Sequence, residues 1–524
     1  MSQAPTKARR RPWYIWAPPF LVLLAIECVR NRFLFSQKLY EQGDAGANSI
    51  LITQAKHFTL LIGNYSRERF NHPGPAFMYV QAAGEWLLQD TLHAVPTAWN
   101  AHQLAVFALD CAFVSLAAVI GYGWTRLAGA LSTTAAVTVL AICQPGILNS
   151  DWMPYLYVLP YLVFLLAAAS VAAGAARDIW IMTLAGWLLI HGHACFLFFV
   201  PLITVFAVGL VAWRHGARPV LARFTGDRAL WLPVAAISAL FLLPIVANLV
   251  LHWPGDFGKY LSYGKSGQAG GHGPAQILHY LLWFWCPSFP LAIVVILVLY
   301  GAALTAALTL ARGRPYGGFL LALLVIDLVS TVGVIAYTAV GIDNLSQYYI
   351  AYFYWSGPLI AGLVLVLAVV GALPGRAAVA VSAACAVAAA TVVAVLPGTL
   401  ASTHDIDQAL PGAVATLAAR APGKTIVLNL QQGAWVQLTG FLDQAERTGV
   451  PACVNASYWA FLFTSAFICT QAQVARGVRY QFDDLAPPAG AEVLLRFDGI
   501  SVLPWSSLQR PVTCRPVTCR PGYM

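Results

Sequence analysis

A carboxylate that can accept a proton and cations that can steady a phosphate occur near one another in this sequence. Asp44 lies in Glu41-Gln42-Gly43-Asp44-Ala45-Gly46, and the tract Asn64-Tyr65-Ser66-Arg67-Glu68-Arg69-Phe70-Asn71-His72-Pro73-Gly74-Pro75 adds Arg67, Arg69 and His72. A carboxylate suits general-base work on a hydroxyl, and guanidinium groups suit a departing phosphate whose charge must be stabilised. Each residue also has a plain structural use. Asp44 could simply cap the helical pattern that follows it, the arginines could anchor in lipid headgroups, and turn chemistry alone explains the prolines beside His72. Further candidates lie elsewhere. Asp151 and Trp152 set an acid beside an aromatic ring, and Tyr348 falls in a polar-aromatic group with Asp343, Asn344, Gln347 and Tyr349. Lys259 and Lys265 stand in His252–Gln276, a stretch with seven glycines that reads as a mobile outer loop.

The elements that position these residues belong to a membrane. Of 524 residues, 59% are apolar and only 10% charged, with a mean hydropathy of +0.70, where soluble domains carry about 25% charged residues. That excludes a soluble globular protein. The net charge of +9 comes from basic residues scattered between apolar runs, which argues for topology markers and against a nucleic-acid partner. Six of the ten cysteines (Cys28, Cys111, Cys143, Cys195, Cys286 and Cys385) fall in or beside apolar runs, and no zinc-type pair is present. Gly264–Gly273 lacks the strand and helix that a phosphate loop requires.

Apolar runs predict eleven spans: Trp13–Val29, His102–Trp124, Leu127–Cys143, Pro154–Ala175, Ile179–Ile190, Ala194–Trp213, Ala229–Leu251, Pro287–Ala311, Gly317–Val340, Tyr349–Leu373 and Ala377–Val395. Lys7, Arg9, Arg10 and Arg11 place the N-terminus inside, and the short basic loops around Arg126, Arg177, Arg214–Arg228, Arg312–Arg314 and Arg376 then fall on the same side. The weak point is Ile179–Trp213, broken at His191-Gly192-His193, where the histidines fit either a functional site or hydrogen bonds between helices. Glu27, Asp110 and Asp327 are intramembrane acids that should be paired or neutral. Residues 1–396 thus read as a transmembrane domain with a large first outer loop, 31–101. In that loop Ala45–Ile62 and Ala76–Gln89 are amphipathic and are expected to lie in the interface plane.

Residues 397–524 change in composition and read as a small soluble α/β domain: strand Thr425–Leu430, helix Ala434–Arg447, a strand or turn, helix Ser457–Cys469 and strand Glu492–Leu495. Cys453 and Cys469 are candidates for a disulfide. The tail repeats Arg-Pro-Val-Thr-Cys at Arg510–Cys514 and Arg515–Cys519, which has no functional account.

Many spans, an acid in a long first outer loop, two interface helices there and a C-terminal soluble domain together resemble the GT-C glycosyltransferases. The resemblance covers roughly the N-terminal three-quarters and rests on Asp44 just after the first span. It implies an α-helical polytopic membrane protein that moves a sugar from a polyprenyl-phosphate carrier to a glycan, lipid or protein acceptor, on the outer face of a bacterial inner membrane among membrane lipids. Asp44 would be the general base; Arg67, Arg69, Lys259 and Lys265 would meet the donor phosphate; Glu41, His72, Asp151, Trp152 and Tyr348 would line the substrate. The family's acidic pair is reduced to Asp44 with Glu41 three residues before it, so a divalent metal is left open and no other cofactor is implied. A lipid-linked glycan ligase or polymerase is the alternative enzyme, and a flippase is the alternative from another class. No inverted repeat supports the latter.

Overall fold

In lipid every backbone N–H and C=O must be satisfied within its own segment, so the apolar runs become helices. The computed structural model describes residues 13–265, 271–396, 406–488 and 490–507. Among them, eight helices are long and apolar enough to cross a membrane: Ala98–Cys143, Met153–Ala172, Phe196–Arg214, Arg228–His252, Pro290–Thr309, Gly317–Val340, Tyr348–Ala372 and Gly375–Val395. With a small five-stranded sheet near the C-terminus, the chain is a helical membrane protein. The basic N-terminus with Lys7 to Arg11, residues 266–270, Thr399 and the Arg510–Cys519 repeat lie outside the described residues.

The residues divide into two units, one of Met1–Arg32 with Gln103–Ala401, the other of Phe33–His102 with Ser402–Met524. In the first, the helix over Val158–Ala172 is buried along its whole length and packs against Ile179–Gly192, Phe196–His215 and Gly317–Val340. The Ala98–Cys143 helix breaks at Thr125 and Arg126, the latter at φ 61°. Beyond the break the chain folds back so closely that a Cβ on Gly121 would lie 2.7 Å from the carbonyl oxygen of Gly129. Small residues permit that backbone contact. The break at His191–His193 is real as well, with one helix ending at Gly192 and the next starting at Phe196.

One expectation fails in this unit. His252–Gln276 is not simply a glycine-rich loop: Gly255–Lys265 is a helix, and another starts at Pro274. Phe257, Tyr260 and Leu261 recur at helical spacing, and the ion pair of Asp256 with Lys259 supports the same turn.

The second unit is an α/β layer. Strands β1 (Ile426–Leu430), β2 (Ala452–Val454), β3 (Val478–Asp483), β4 (Leu495–Phe497) and β5 (Ile500–Pro504) lie in the order β2-β1-β3-β5-β4. β1 runs parallel to β2 and β3, while β5 is antiparallel to β3 and β4. The crossover helix Trp435–Arg447 joins β1 to β2, and the Cys453–Cys469 disulfide, with Cα atoms 5.0 Å apart, ties the middle of β2 to the chain just before helix Gln471–Arg476. The expected helix Ser457–Cys469 is instead short turns about helix Ala460–Phe463, broken at Thr464 with φ 65°. The last hairpin begins at Leu495, later than expected.

Against the crossover helix lies the loop helix Gly43–Lys56. It was expected to float in the interface plane, but Ala47 and Ile50 are fully buried in one core with Leu438, Phe441 and Leu442. The Ala47 and Ile50 side of the helix is covered by protein, while Phe58, just past its end, is exposed. Gly46 and Gly440 make this possible: a Cβ on Gly46 would sit 3.0 Å from Gly440 N, and one on Gly440 would sit 2.6 Å from Glu41 O. Gly440→Val should therefore overpack the contact and destabilise this unit by about 1–3 kcal/mol, read as a lower melting temperature in detergent. Gly412→Ala, where nothing lies within 4 Å of the added Cβ, should leave it near wild type.

Candidate functional site

Asp44 is the second residue of the loop helix, because Gln42 occupies the N-cap position. Its carboxylate is half-buried and accepts a hydrogen bond from Tyr65 Oη. Tyr65 begins a tight hairpin. Gly63 N bonds to His72 O (2.8 Å), His72 N to Asn64 O (2.8 Å) and Ser66 N to Phe70 O (2.7 Å), with Tyr65 bridged to Asn71. The tip is Arg67, Glu68 and Arg69, the last held at φ 62°, a backbone state uncommon outside glycine. One hydrogen-bonded turn thus joins the acid to the hairpin that carries both arginines.

The hairpin rests on the C-terminal residues of the same unit. Arg69 Nη2 donates to Tyr458 Oη at 2.7 Å while its guanidinium stands 4.1 Å above that ring. Asn71 Nδ2 reaches Phe461 O at 3.5 Å, and Arg67 pairs with Glu68 at 3.6 Å. His72 is buried, its ring edge-on to Phe70 at 5.8 Å.

Glu41 was expected beside substrate, yet it is 4% exposed and accepts from Ser49 Oγ at 2.6 Å. It belongs to a buried ion cluster that sequence reasoning missed. Arg447 donates to Ser49 Oγ (2.8 Å), Asp443 Oδ2 (2.9 Å) and both oxygens of Glu85 (3.0 and 3.3 Å). Lys56 reaches Glu85 (2.7 Å) and Asp90 (2.6 Å), and His102 Nε2 lies 2.8 Å from Glu85. Glu85 opens a wide π-type turn, Glu85–Thr91, where the second loop helix ends. Burial alone would raise its carboxyl, but the hydrogen bond and charge of His102 and the charge of Arg447 hold it well below the usual range. Glu41 goes the other way: burial and then the charge of Asp443 push it up to about 7. No sequence signal pairs Arg447 with Glu85, 362 positions apart.

In the other unit, Trp152 meets Tyr349, Tyr155 and Tyr352 with ring centroids 5.1, 5.9 and 6.3 Å apart, beside the buried Asp151. Tyr348 stacks on Trp283 at 4.2 Å and on Tyr280 at 5.2 Å, so its ring face serves packing. His191 Nε2 lies 2.8 Å from Phe241 O, a bond between helices. Lys259 pairs with Asp256 at 2.7 Å; the side chain of Lys265 lies outside the described residues. Glu27 pairs with Arg30 and Asp327 accepts from Tyr300, whereas neither oxygen of Asp110 has a hydrogen-bond partner among the described residues. Among those residues no group of three His, Cys, Asp or Glu could hold a metal ion.

The Glu41 shift has a measurable sign. Its folded value of about 7 lies above the ordinary value of 4.5, so its contribution to stability is complete below pH 4.5 and is lost as pH rises through 7. Wild-type protein should lose about 2 kcal/mol from this group between pH 5 and 8. Glu41→Gln should flatten the melting-temperature profile over that window, and an unchanged slope counts against the assignment.

No protein-family model matches the chain, and no curated protein matches it.

Proposed function

We propose that this protein is a membrane glycosyltransferase of GT-C type that moves a sugar from a polyprenyl-phosphate carrier to a glycan, lipid or protein acceptor, with Asp44 as the general base. One observation carries the reading: Asp44 is hydrogen-bonded to the hairpin that presents Arg67 and Arg69. In the reaction the acceptor oxygen attacks the anomeric carbon and its proton passes to Asp44. The C–O bond to phosphate breaks, and the departing polyprenyl phosphate carries the charge that Arg67 and Arg69 meet. Tyr65 fixes the carboxylate by donating to it.

The reading takes eleven spans, and parity supports that count. Residues 33–102 and 406–507 pack in one unit, so the chain between them crosses an even number of times. Ala98–Cys143 divides into two spans at Thr125–Arg126, which leaves nine crossings unless the shorter helix Ile179–Gly192 also spans. Ala17–Arg30 then supplies the first. The Cys453–Cys469 disulfide favours an oxidising compartment for this unit, such as the periplasmic face of a bacterial inner membrane.

Two experiments test the proposal. Alkaline phosphatase fused to the C-terminus of the full chain in a bacterium should be active; an inactive, stably expressed fusion removes the outer placement. Purified protein in nanodiscs is then given polyprenyl-phosphoryl mannose, glucose or arabinose with a cell-envelope extract as acceptor, and release of polyprenyl phosphate is followed. Asp44→Asn should lower turnover about 10²–10⁴-fold with little change in melting temperature, because Asp44 stands past the cap at Gln42 and the Asn amide oxygen can still accept from Tyr65. Full turnover by Asp44→Asn overturns the base assignment.

A further inference from the structure

We infer that the C-terminal module supplies the positioning residues for Asp44, with Thr439 and Asp498 chief among them; the inference rests on reading Asp44 as the base. The loop helix cannot hold Asp44 by itself. It has 14 residues and begins Gly-Asp-Ala-Gly; isolated helices this short are marginal, and glycine costs about 1 kcal/mol in a helix. Gln42, at its N-cap, makes no side-chain capping bond, and Gly43 takes φ 57°. Something outside the helix must fix the first turn.

The C-terminal residues do so position by position. Asp407 N donates to Tyr40 O at 2.8 Å, and Glu41 forms a bridge with Ile406. Gln42 Nε2 donates to Asp498 Oδ2 at 2.7 Å, an oxygen that also accepts from Gln437 Nε2 at 2.9 Å. The Thr439 hydroxyl shares its proton between Gly43 O at 3.1 Å and Val436 O at 2.7 Å. Four successive residues before the acid are thus each held by a residue more than 350 positions away. The donor to Asp44 is seated on the same module, since the Tyr65 hairpin contacts Tyr458 and Phe461. The carboxylate and the hydroxyl that orients it therefore share one support.

Thr439→Val deletes the hydroxyl at similar shape and Thr439→Ser keeps it; Asp498→Ala deletes the acceptor and Asp498→Asn keeps one oxygen. In the full-length protein in nanodiscs, amide exchange over residues 40–48 should quicken about fivefold or more in the Val and Ala variants and return toward wild type in Ser and Asn. Unchanged exchange there overturns the inference. With whichever polyprenyl-phosphoryl mannose, glucose or arabinose donor turns over, Thr439→Val should lower kcat about 10–100-fold at near wild-type KM. Added to Asp44→Asn it should cost nothing more, because no base is left to position. An equal further loss in the double variant marks a general structural role and overturns the inference. Unchanged kcat in Thr439→Val with a dead Asp44→Asn defeats this inference alone. Full turnover by Asp44→Asn defeats the reading beneath it.

Discussion

Gly46 and Gly440 meet backbone to backbone, and the second unit is organised by that contact. Any side chain at either position would push the two helices apart. At the distance they reach, Ala47 and Ile50 enter the core that lines the sheet. Ser49, one turn along from Gly46, then comes within 2.8 Å of Arg447, two turns along from Gly440. The glycine contact and the ion cluster are thus two ends of one helix pair, the first set by shape and the second by charge.

The cluster is costly unless complete. A buried ion is tolerated only when its partners are in place, and removing one of them typically costs about 3–5 kcal/mol. Arg447 answers this by spreading its donors over Glu85, Asp443 and Ser49, and Lys56 carries Glu85 toward the more exposed Asp90. Such a network adds little net stability over an apolar replacement, but it admits one arrangement of its members. What it fixes is the relation between both loop helices and the crossover helix, which oil-like packing alone would leave freer to slide.

Much of this was legible in the residues. Lipid demands long apolar helices, so composition located the eight helices long enough to cross, and the interruptions at Thr125–Arg126 and His191–His193 appear as breaks. β1 and the crossover helix also follow the pattern of Thr425–Leu430 and Ala434–Arg447. The loop helix was placed as a helix but with the wrong neighbour, because an apolar stripe reads alike whether lipid or protein covers it. Glu41 shows the same limit: a carboxylate near a candidate base looks like part of a site until Ser49 and Asp443 are seen around it. Partners such as Gln42 with Asp498, or Arg447 with Glu85, are separated by most of the chain, and no local period can join them. Glycines misled at His252–Gln276, where aromatic spacing prevailed over glycine's entropy.

The division of the second unit between the two ends of the chain has a consequence for biogenesis. Residues 33–102 leave the ribosome first, but the strands and crossover helix that cover Ala47 and Ile50 follow only after residues 103–401 have been made and inserted. At about 5–20 residues per second that interval is roughly 15–60 s. Throughout it the loop helix has an uncovered apolar stripe, and Glu85 waits without Arg447. A premature stop ahead of the crossover helix removes the residues that cover Ala47 and Ile50 and leaves the first loop open to chaperones and proteases.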